Sequence, residues 1–136
     1  SVESIHAMVY GLLFLIRLEV KSMKISRSSA LRLWAQRYGD AKFAEDFHGN
    51  LMYRDAYGDD ERFVVVHGTR IGCGWNIHHI LPAALGGTNA VSNLVCTNIA
   101  TNAAAENKIT FWIDDCLYQV KRIRGTHNHK IVKQNR

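Results

Sequence analysis

Two adjacent histidines and two later asparagines have the residue types and spacing of a catalytic group. His78 and His79 end a short β-like run just before Pro82. Asn93 and Asn102 follow His79 after 14 and 23 residues. A histidine can take a proton from water at neutral pH because its pKa is near the working pH. A divalent cation can neutralise the charge of a phosphate. These residue types therefore fit the hydrolysis of a phosphodiester bond.

Two strands and a helix must position this group. Neighbouring residues of a strand point to opposite faces, so His78 and His79 can share a pocket only if the strand twists where it ends. A turn at Gly86-Gly87 follows, a second apolar run opens at Asn93-Leu94, and an alanine-rich helix carries Asn102. We expect this helix to pack across the two strands and to offer Asn102 as a further cation ligand.

The order and spacing of these residues over 75–108 resemble the HNH endonuclease motif, the nuclease form of the ββα-metal fold. The resemblance implies that His79 is the general base. It implies that His78 ligates the metal, at a position where many members have aspartate and colicin-type nucleases have histidine. Asn102 would be the second metal ligand. Asn93 matches the central asparagine of the catalytic motif, which usually clamps the loop between the strands.

The cofactor that the resemblance implies is one divalent cation. It would be Mg²⁺, or Mn²⁺, Co²⁺ or Ni²⁺, for which imidazole is a better ligand. Spacing favours Asn102 as the last ligand, while Asn98 and Asn107 are nearby alternatives. Relatives with a supporting zinc have paired C-x-x-C motifs, and the matching second-half positions here are Asn98 and Thr101. We therefore expect no structural zinc.

The distribution of charge favours a polyanionic partner. The 136-residue chain has a net charge of +5, and no acidic residue follows Asp115. A basic region of this kind suits contact with phosphates, although a solvated tail is the alternative. The tripeptide His127-Asn128-His129 is interpreted as part of such a solvated tail. The candidate DNA contacts are Lys108, Lys121, Arg122, Arg124, Lys130 and Lys133, with Arg136 at the chain end.

Length and composition predict one α+β domain over residues 1–136. Apolar residues make up 47% and charged residues 21%, as in ordinary globular proteins. The expected parts are an N-terminal extension (1–74), the motif core (75–108), and a C-terminal hairpin with a basic tail (109–136). The predicted architecture is a ββα-metal core flanked by N-terminal helices and the C-terminal β-hairpin.

Several local signals define the flanking elements. We expect residues 5–20 to be a core-packing segment or a homodimer contact, with a helix slightly preferred over a strand. They are too short and too charged to span a membrane, and they lack the features of a signal peptide. We expect a helix capped by Ser28 or Ser29, with Leu31, Trp34 and Tyr38 on one face and Gly39 at its end. A short helix capped by Asp40, with Phe43 and Phe47 on one face, should follow. Strands are expected at 51–53 and 63–66, and a hairpin should turn at Asp114-Asp115.

The cysteine pattern favours an intracellular protein. The chain has three cysteines, an odd number with no C-x-x-C spacing, so a disulfide framework is not expected. We expect Cys73, Cys96 and Cys116 to act as small buried hydrophobes.

The predicted function is metal-dependent DNA endonuclease activity, and the resemblance implies that the products have 5′-phosphate and 3′-hydroxyl ends. The segments around 74–82 and 111–122 are similar to small free-standing HNH proteins of bacteriophages and their hosts, which implies the cytoplasm of a bacterium or infected cell. Two alternatives remain open at this point. One is a non-catalytic DNA-binding module of the same shape. The other is a colicin-like nuclease toxin, which would need an immunity protein.

Overall fold

A computed structural model describes residues 25–134 as an α+β structure. The described part contains two α-helices and nine β-strands. The helices are α1 (Arg27–Tyr38) and α2 (Ile99–Ala105). The strands are β1 (Phe43–Glu45), β2 (Leu51–Tyr53), β3 (Phe63–Val66), β4 (Thr69–Gly72), β5 (Trp75–His79), β6 (Leu94–Asn98), β7 (Thr110–Ile113), β8 (Cys116–Arg122) and β9 (His129–Lys133). Neither described helix is long and apolar enough to cross a membrane.

The strands form four small antiparallel sheets. Strands β1 and β2, β3 and β4, and β5 and β6 pair two by two, while β7, β8 and β9 form one three-stranded sheet. Two-stranded pairs are marginal alone and need packing against other elements. Two clusters of buried side chains supply that packing to the β1–β2 and β5–β6 pairs and to the C-terminal sheet, whereas the β3–β4 pair contributes no residue to either cluster.

The first cluster joins α1 to the β5–β6 pair. The ring centroids of Trp34 and Trp75 lie 4.9 Å apart, and both side chains are fully buried. The second cluster joins α2 to the C-terminal sheet. The first contains Ala30, Leu33, Trp34, Met52, Trp75, Ile77, Leu94 and Cys96. The second contains Ala105, Phe111, Ile113, Tyr118 and Val120.

Helix α1 is present as predicted, but its N-cap and its buried face differ from the prediction. Ser26, not Ser28 or Ser29, has the extended backbone of an N-cap, and its Oγ accepts a hydrogen bond from the backbone N–H of Ser29 at 3.2 Å. Gly39 ends the helix at a positive φ of 62°, as expected for a helix terminator. The fully buried face is Ala30, Leu33 and Trp34; Leu31 and Tyr38 are only half-buried.

The short helix predicted after Asp40 is wrong, because Phe43–Glu45 is strand β1, paired with β2. Phe43 packs on Tyr53 directly across the two strands, with ring centroids 4.9 Å apart. A turn then follows in which the buried carboxylate of Asp46 accepts the backbone N–H groups of His48 and Asn50. The long-range and turn contacts outweigh the helical spacing of the aromatic residues.

The C-terminal hairpin is confirmed, and the basic tail predicted after it contains a third strand. Strands β7 and β8 flank Asp114 and Asp115 as predicted. Residues 129–133 form β9 and pair with β8, so the interpretation of His129 as part of a solvated tail is wrong. His127 and Asn128 belong to the connecting turn. Cys73 and Cys96 are buried as predicted, whereas Cys116 is half-buried. The segment 5–20 and Arg136 lie outside the described residues.

Candidate active site

A cleft of about 970 Å³ brings three of the four predicted motif residues together. His78 and His79 reach it from the end of β5, and Asn102 reaches it from α2. The strand β5 pairs with β6, and α2 begins immediately after β6, so the strand–strand–helix order positions all three side chains. Asn93 does not line this cleft.

His78 and Asn102 are joined directly. The Nδ1 atom of His78 lies 2.7 Å from Oδ1 of Asn102. An amide oxygen only accepts, so Nδ1 carries the proton and donates it. Nδ2 of Asn102 donates in turn to Oδ1 of Asn76 at 2.8 Å, and the hydroxyl of Thr97 donates to the same oxygen at 3.2 Å. This chain of hydrogen bonds fixes the orientation of Asn102.

The second nitrogen of His78 has no partner. The side chain is only 3% exposed, and Nε2 is buried with no hydrogen bond to any described residue. With the proton on Nδ1, Nε2 carries an unused lone pair. Burial lowers the pKa of His78 below 6.5; the hydrogen bond to Asn102 opposes this shift, and the nearby His79 adds to it. His78 is therefore neutral at pH 7, which is the state of a histidine ligand.

His79 has a different environment. It is half-buried, and its Nε2 lies 2.7 Å from Oδ1 of Asn89. The amide oxygen accepts from Nε2–H, which leaves the lone pair on Nδ1. Sequence reasoning did not identify Asn89, because it lies in the loop between β5 and β6 and has no fixed spacing signal. Thus the two adjacent histidines have their protons on opposite ring nitrogens, each set by one asparagine.

Asn93 clamps the loop between β5 and β6. Its Oδ1 accepts the backbone N–H of Leu81 at 2.8 Å, and its Nδ2 donates to the carbonyl oxygens of Leu81 and Thr88. The loop passes so close at Gly87 that an added Cβ would lie 1.7 Å from the Leu81 oxygen. Asn93 was predicted as part of the catalytic set and as a loop clamp; its contacts are those of a clamp.

Of Asn98 and Asn107, the two alternatives for the last metal ligand, Asn98 makes hydrogen bonds outside the cleft. Asn98 caps α2 by accepting the N–H of Ala100, and its Nδ2 donates to the carbonyls of Leu51 and Gly72. Asn107 lines the cleft but has no hydrogen bond to His78 among the described contacts. Asn102 is therefore the asparagine that the geometry favours.

The candidate DNA-contacting residues do not line the cleft, and they do not share one surface. Residues opposite one another in paired strands share a face. Lys121 opposes Lys130 on the outer face of the C-terminal sheet. Lys133 opposes the buried Tyr118 and Arg122 opposes His129, so the register places both on the other face of the sheet, where their side chains are nevertheless exposed. The remaining two are Lys108, with its Nζ 3.5 Å from Glu106, and Arg124, in the turn before β9.

No group of three or more His, Cys, Asp or Glu side chains within residues 25–134 is arranged to hold a metal ion. A cation held by His78 and Asn102 would therefore complete its coordination with water or substrate oxygens. Comparison of the chain with protein-family models, with curated proteins and with solved structures finds no match.

Proposed function

We propose that this chain is a metal-dependent DNA endonuclease whose ββα-metal core consists of β5, β6 and α2. The observation that carries the proposal is the convergence of His78, His79 and Asn102 in one cleft, with His78 and Asn102 in contact at 2.7 Å. The same three residues are those to which the resemblance to HNH nucleases assigns the base and the metal ligands. The resemblance also implies the cytoplasm of a bacterium or a phage-infected cell.

The electrostatic character of the cleft supports an anionic substrate. The described residues that line it include no aspartate or glutamate, and they include one arginine, Arg27. A phosphodiester entering this cleft therefore meets no carboxylate among the described lining residues. The partial positive character also raises the local concentration of a polyanion.

In the proposed reaction, His79 accepts a proton from the attacking water at Nδ1. The hydrogen bond from Nε2–H to Asn89 holds the ring in the required tautomer. It also stabilises the imidazolium that forms, because that cation keeps the Nε2–H donor. His78 is held neutral by burial, so it does not compete for this proton at pH 7.

The donor set of the cleft fits a divalent cation. His78 and Asn102 would hold it, since an imidazole nitrogen and an amide oxygen already converge there. The bound cation would neutralise charge on the phosphate and the leaving oxygen. For His78 to use Nδ1 as a ligand, its proton must move to Nε2, which has no acceptor among the described residues. We therefore expect weak cation binding to the free protein and tighter binding once phosphate oxygens are present.

The C-terminal sheet would extend the DNA contact. Strand β9 approaches the turn Val91–Asn93, which leads into β6. The basic residues of β9 are thus on the strand that approaches the loop between β5 and β6, which holds Asn89. Lys121 and Lys130 oppose each other on the outer face, and a like-charge pair of this kind is stabilised by an anion between its members.

A plasmid nicking assay with and without EDTA tests the proposal. The wild-type protein should convert supercoiled plasmid to nicked or linear DNA with a divalent cation, and EDTA should abolish the conversion. His79→Ala is the matched control against a contaminating nuclease. DNA binding without cleavage by any preparation would instead establish a non-catalytic module. Full cleavage in EDTA would exclude the metal mechanism.

A metal series refines the assignment of His78. Mn²⁺, Co²⁺ or Ni²⁺ should support cleavage at least as well as Mg²⁺, because imidazole prefers these ions. His78→Asp should shift the preference toward Mg²⁺, because a carboxylate adds a hard, charged oxygen ligand. Wild-type activity with Mg²⁺ alone, and no relative gain with Mg²⁺ in the variant, would show that His78 does not set the metal preference.

A further inference from the structure

Arg27 is the one arginine or lysine among the described residues that line the cleft. It is the first residue of α1, and it lines the same cleft as His78, His79 and Asn102. Nothing in the HNH-like spacing points to this position, which lies far upstream of the motif. Its place in the cleft becomes visible only when α1 packs against β5 and β6.

The guanidinium of Arg27 has little engagement with the protein. Its hydrogen bond to the described residues runs from Nη2 to the carbonyl oxygen of Asp55 at 3.4 Å, which is long for such a bond. The Asp55 carboxylate is occupied by Arg54 at 3.3 Å and by the hydroxyl of Tyr53 at 3.3 Å. No carboxylate among the described residues lies within 4.0 Å of the Arg27 guanidinium. The Asp55 carboxylate interacts with Arg27 only through its charge, without a hydrogen bond. Among the described residues, most of the five N–H donors of Arg27 are therefore unused.

The backbone of Arg27 is held firmly even though its side chain is exposed. The Ser26 cap fixes the start of α1, and the buried side chains of Ala30 and Trp34 fix the helix against the first core cluster. Because the backbone is already fixed, only the side chain of Arg27 has to be ordered when it holds a phosphate. A guanidinium also matches phosphate oxygens in a bidentate manner, which a lysine cannot do.

We infer that Arg27 binds a phosphate group of the DNA strand in the cleft, through hydrogen bonds from its guanidinium to non-bridging oxygens. This inference rests on the proposed function and adds to it a phosphate-binding residue outside the motif. The two histidines and Asn102 line the cleft from β5 and α2, and Arg27 lines it from α1. The substrate phosphodiester lies between these elements, with His79 available for the proton transfer.

The experiment compares three variants with the wild type. Arg27→Gln removes the guanidinium, and Arg27→Lys keeps the charge without the planar fork. Arg70→Gln is the matched control, because Arg70 is also exposed, its guanidinium lies 3.6 Å from the Phe63 ring centroid, and it does not line the cleft. Thermal unfolding of all four proteins establishes that each is folded. Binding to a short DNA duplex is measured by fluorescence anisotropy in EDTA over a series of salt concentrations.

Arg27→Gln should weaken binding by about 10- to 100-fold, the scale of hydrogen bonds to a charged group. The slope of log affinity against log salt should decrease by about 0.9, as for one lost phosphate contact. Arg27→Lys should recover part of the affinity, and Arg70→Gln should bind almost as the wild type. Equal effects of Arg27→Gln and Arg70→Gln would overturn the inference, since only the total charge would then matter.

A second measurement separates this inference from the nuclease proposal. Thymidine 3′,5′-bisphosphate, titrated into isotope-labelled protein, should shift the NMR signal of the Arg27 side-chain Nε–H. This readout needs neither a metal nor cleavage. A shift in a protein that never cuts DNA would support the Arg27 site while removing the endonuclease function. An unchanged signal in a protein that does cut DNA would overturn the Arg27 site and leave the nuclease standing.

Discussion

Two polar clusters lie one helical turn apart at the junction of β6 and α2, and they differ in how fully their hydrogen bonds are satisfied. In the first, the amide of Asn98 caps α2 and binds two backbone carbonyls, while its backbone N–H donates to Asp46 at 2.9 Å. Each carboxylate oxygen of Asp46 accepts at least one hydrogen bond. In the second, Asn102 fixes His78, but Nε2 of His78 has no partner within the described residues.

This difference separates a polar scaffold from a candidate site. A buried polar group that makes all its hydrogen bonds strengthens a unique fold, whereas an unpaired one lowers stability. The Asn98 cluster ties the Asp46 turn to α2, and Thr101 adds a bond from Asn50 at 2.8 Å. The His78 cluster opens onto the cleft and retains unused capacity. An unsatisfied buried nitrogen beside an open cleft is the pattern expected where stability is given up for function.

The largest expected effect tests whether the cleft beside the His78 cluster is catalytic. His79→Ala should reduce DNA cleavage by roughly 10²–10⁴-fold, the usual contribution of a general base. DNA affinity and unfolding temperature should change little, because His79 is half-buried and makes one side-chain hydrogen bond. Single-turnover cleavage, anisotropy and thermal unfolding check the three quantities. A variant that cuts at the wild-type rate would remove the base assignment.

The next effect contrasts the two asparagines directly. Asn98→Ala should lower the free energy of unfolding by about 2–4 kcal/mol, because it removes a helix cap and leaves buried carbonyls unpaired. Asn102→Ala should cost less, about 1–2 kcal/mol, because it removes no helix cap and leaves one buried donor, the Nδ1–H of His78, unpaired. It should, however, abolish the enhancement of cation binding by DNA. Urea unfolding and Mn²⁺ titration measure the two outcomes. Equal stability losses with equal cation binding would break the distinction between the clusters.

The sequence predicted the β5–β6–α2 order because local signals there agree. The apolar strand runs, the Gly86-Gly87 turn and the helix-forming alanines all lie within 75–108, and the helix follows the second strand without a gap. The prediction of Asn102 over Asn98 came from spacing alone, and the direct contact with His78 now gives it a physical reason.

The remaining elements depend on contacts between distant residues. Strand β1 forms instead of a helix, next to a turn whose Asp46 carboxylate also accepts the backbone N–H of Asn98, 52 residues later. Strand β9 carries lysines in place of a continuous apolar pattern, and its pairing with β8 identifies it. Asn89 and Arg27 have no motif, because loop geometry and helix packing bring them to the site.

The pH dependence of stability gives a smaller effect that is specific to the His78 cluster. Burial lowers the pKa of His78 in the folded protein below 6.5, the value in the unfolded chain. Between the folded and the unfolded pKa, the unfolded chain therefore holds a proton that the native protein lacks. The stabilising contribution is therefore complete above about pH 6.5 and is lost as the pH falls toward the folded pKa. In that window the stability should fall by up to about 1.4 kcal/mol per pH unit. Urea unfolding of His78→Gln should show a flatter pH profile; an identical profile would contradict the origin in His78.

The smallest effect concerns the two faces of the C-terminal sheet. Lys121 and Lys130 oppose each other on the outer face, whereas Lys133 opposes the buried Tyr118. If the outer face contacts DNA phosphates, Lys121→Gln and Lys130→Gln should each flatten the slope of log affinity against log salt by up to about 0.9. Lys133→Gln removes the same charge and serves as the matched control, with an expected change near zero. Anisotropy titrations with duplex DNA at several salt concentrations measure the slopes.

Equal flattening by all three substitutions would mean that the basic residues act through total charge, and no flattening would mean that the sheet is solvated in the complex. A selective effect of Lys121 and Lys130 would assign the DNA contact to the outer face, since all three lysines are exposed and carry the same charge, while the register places Lys133 on the opposite face.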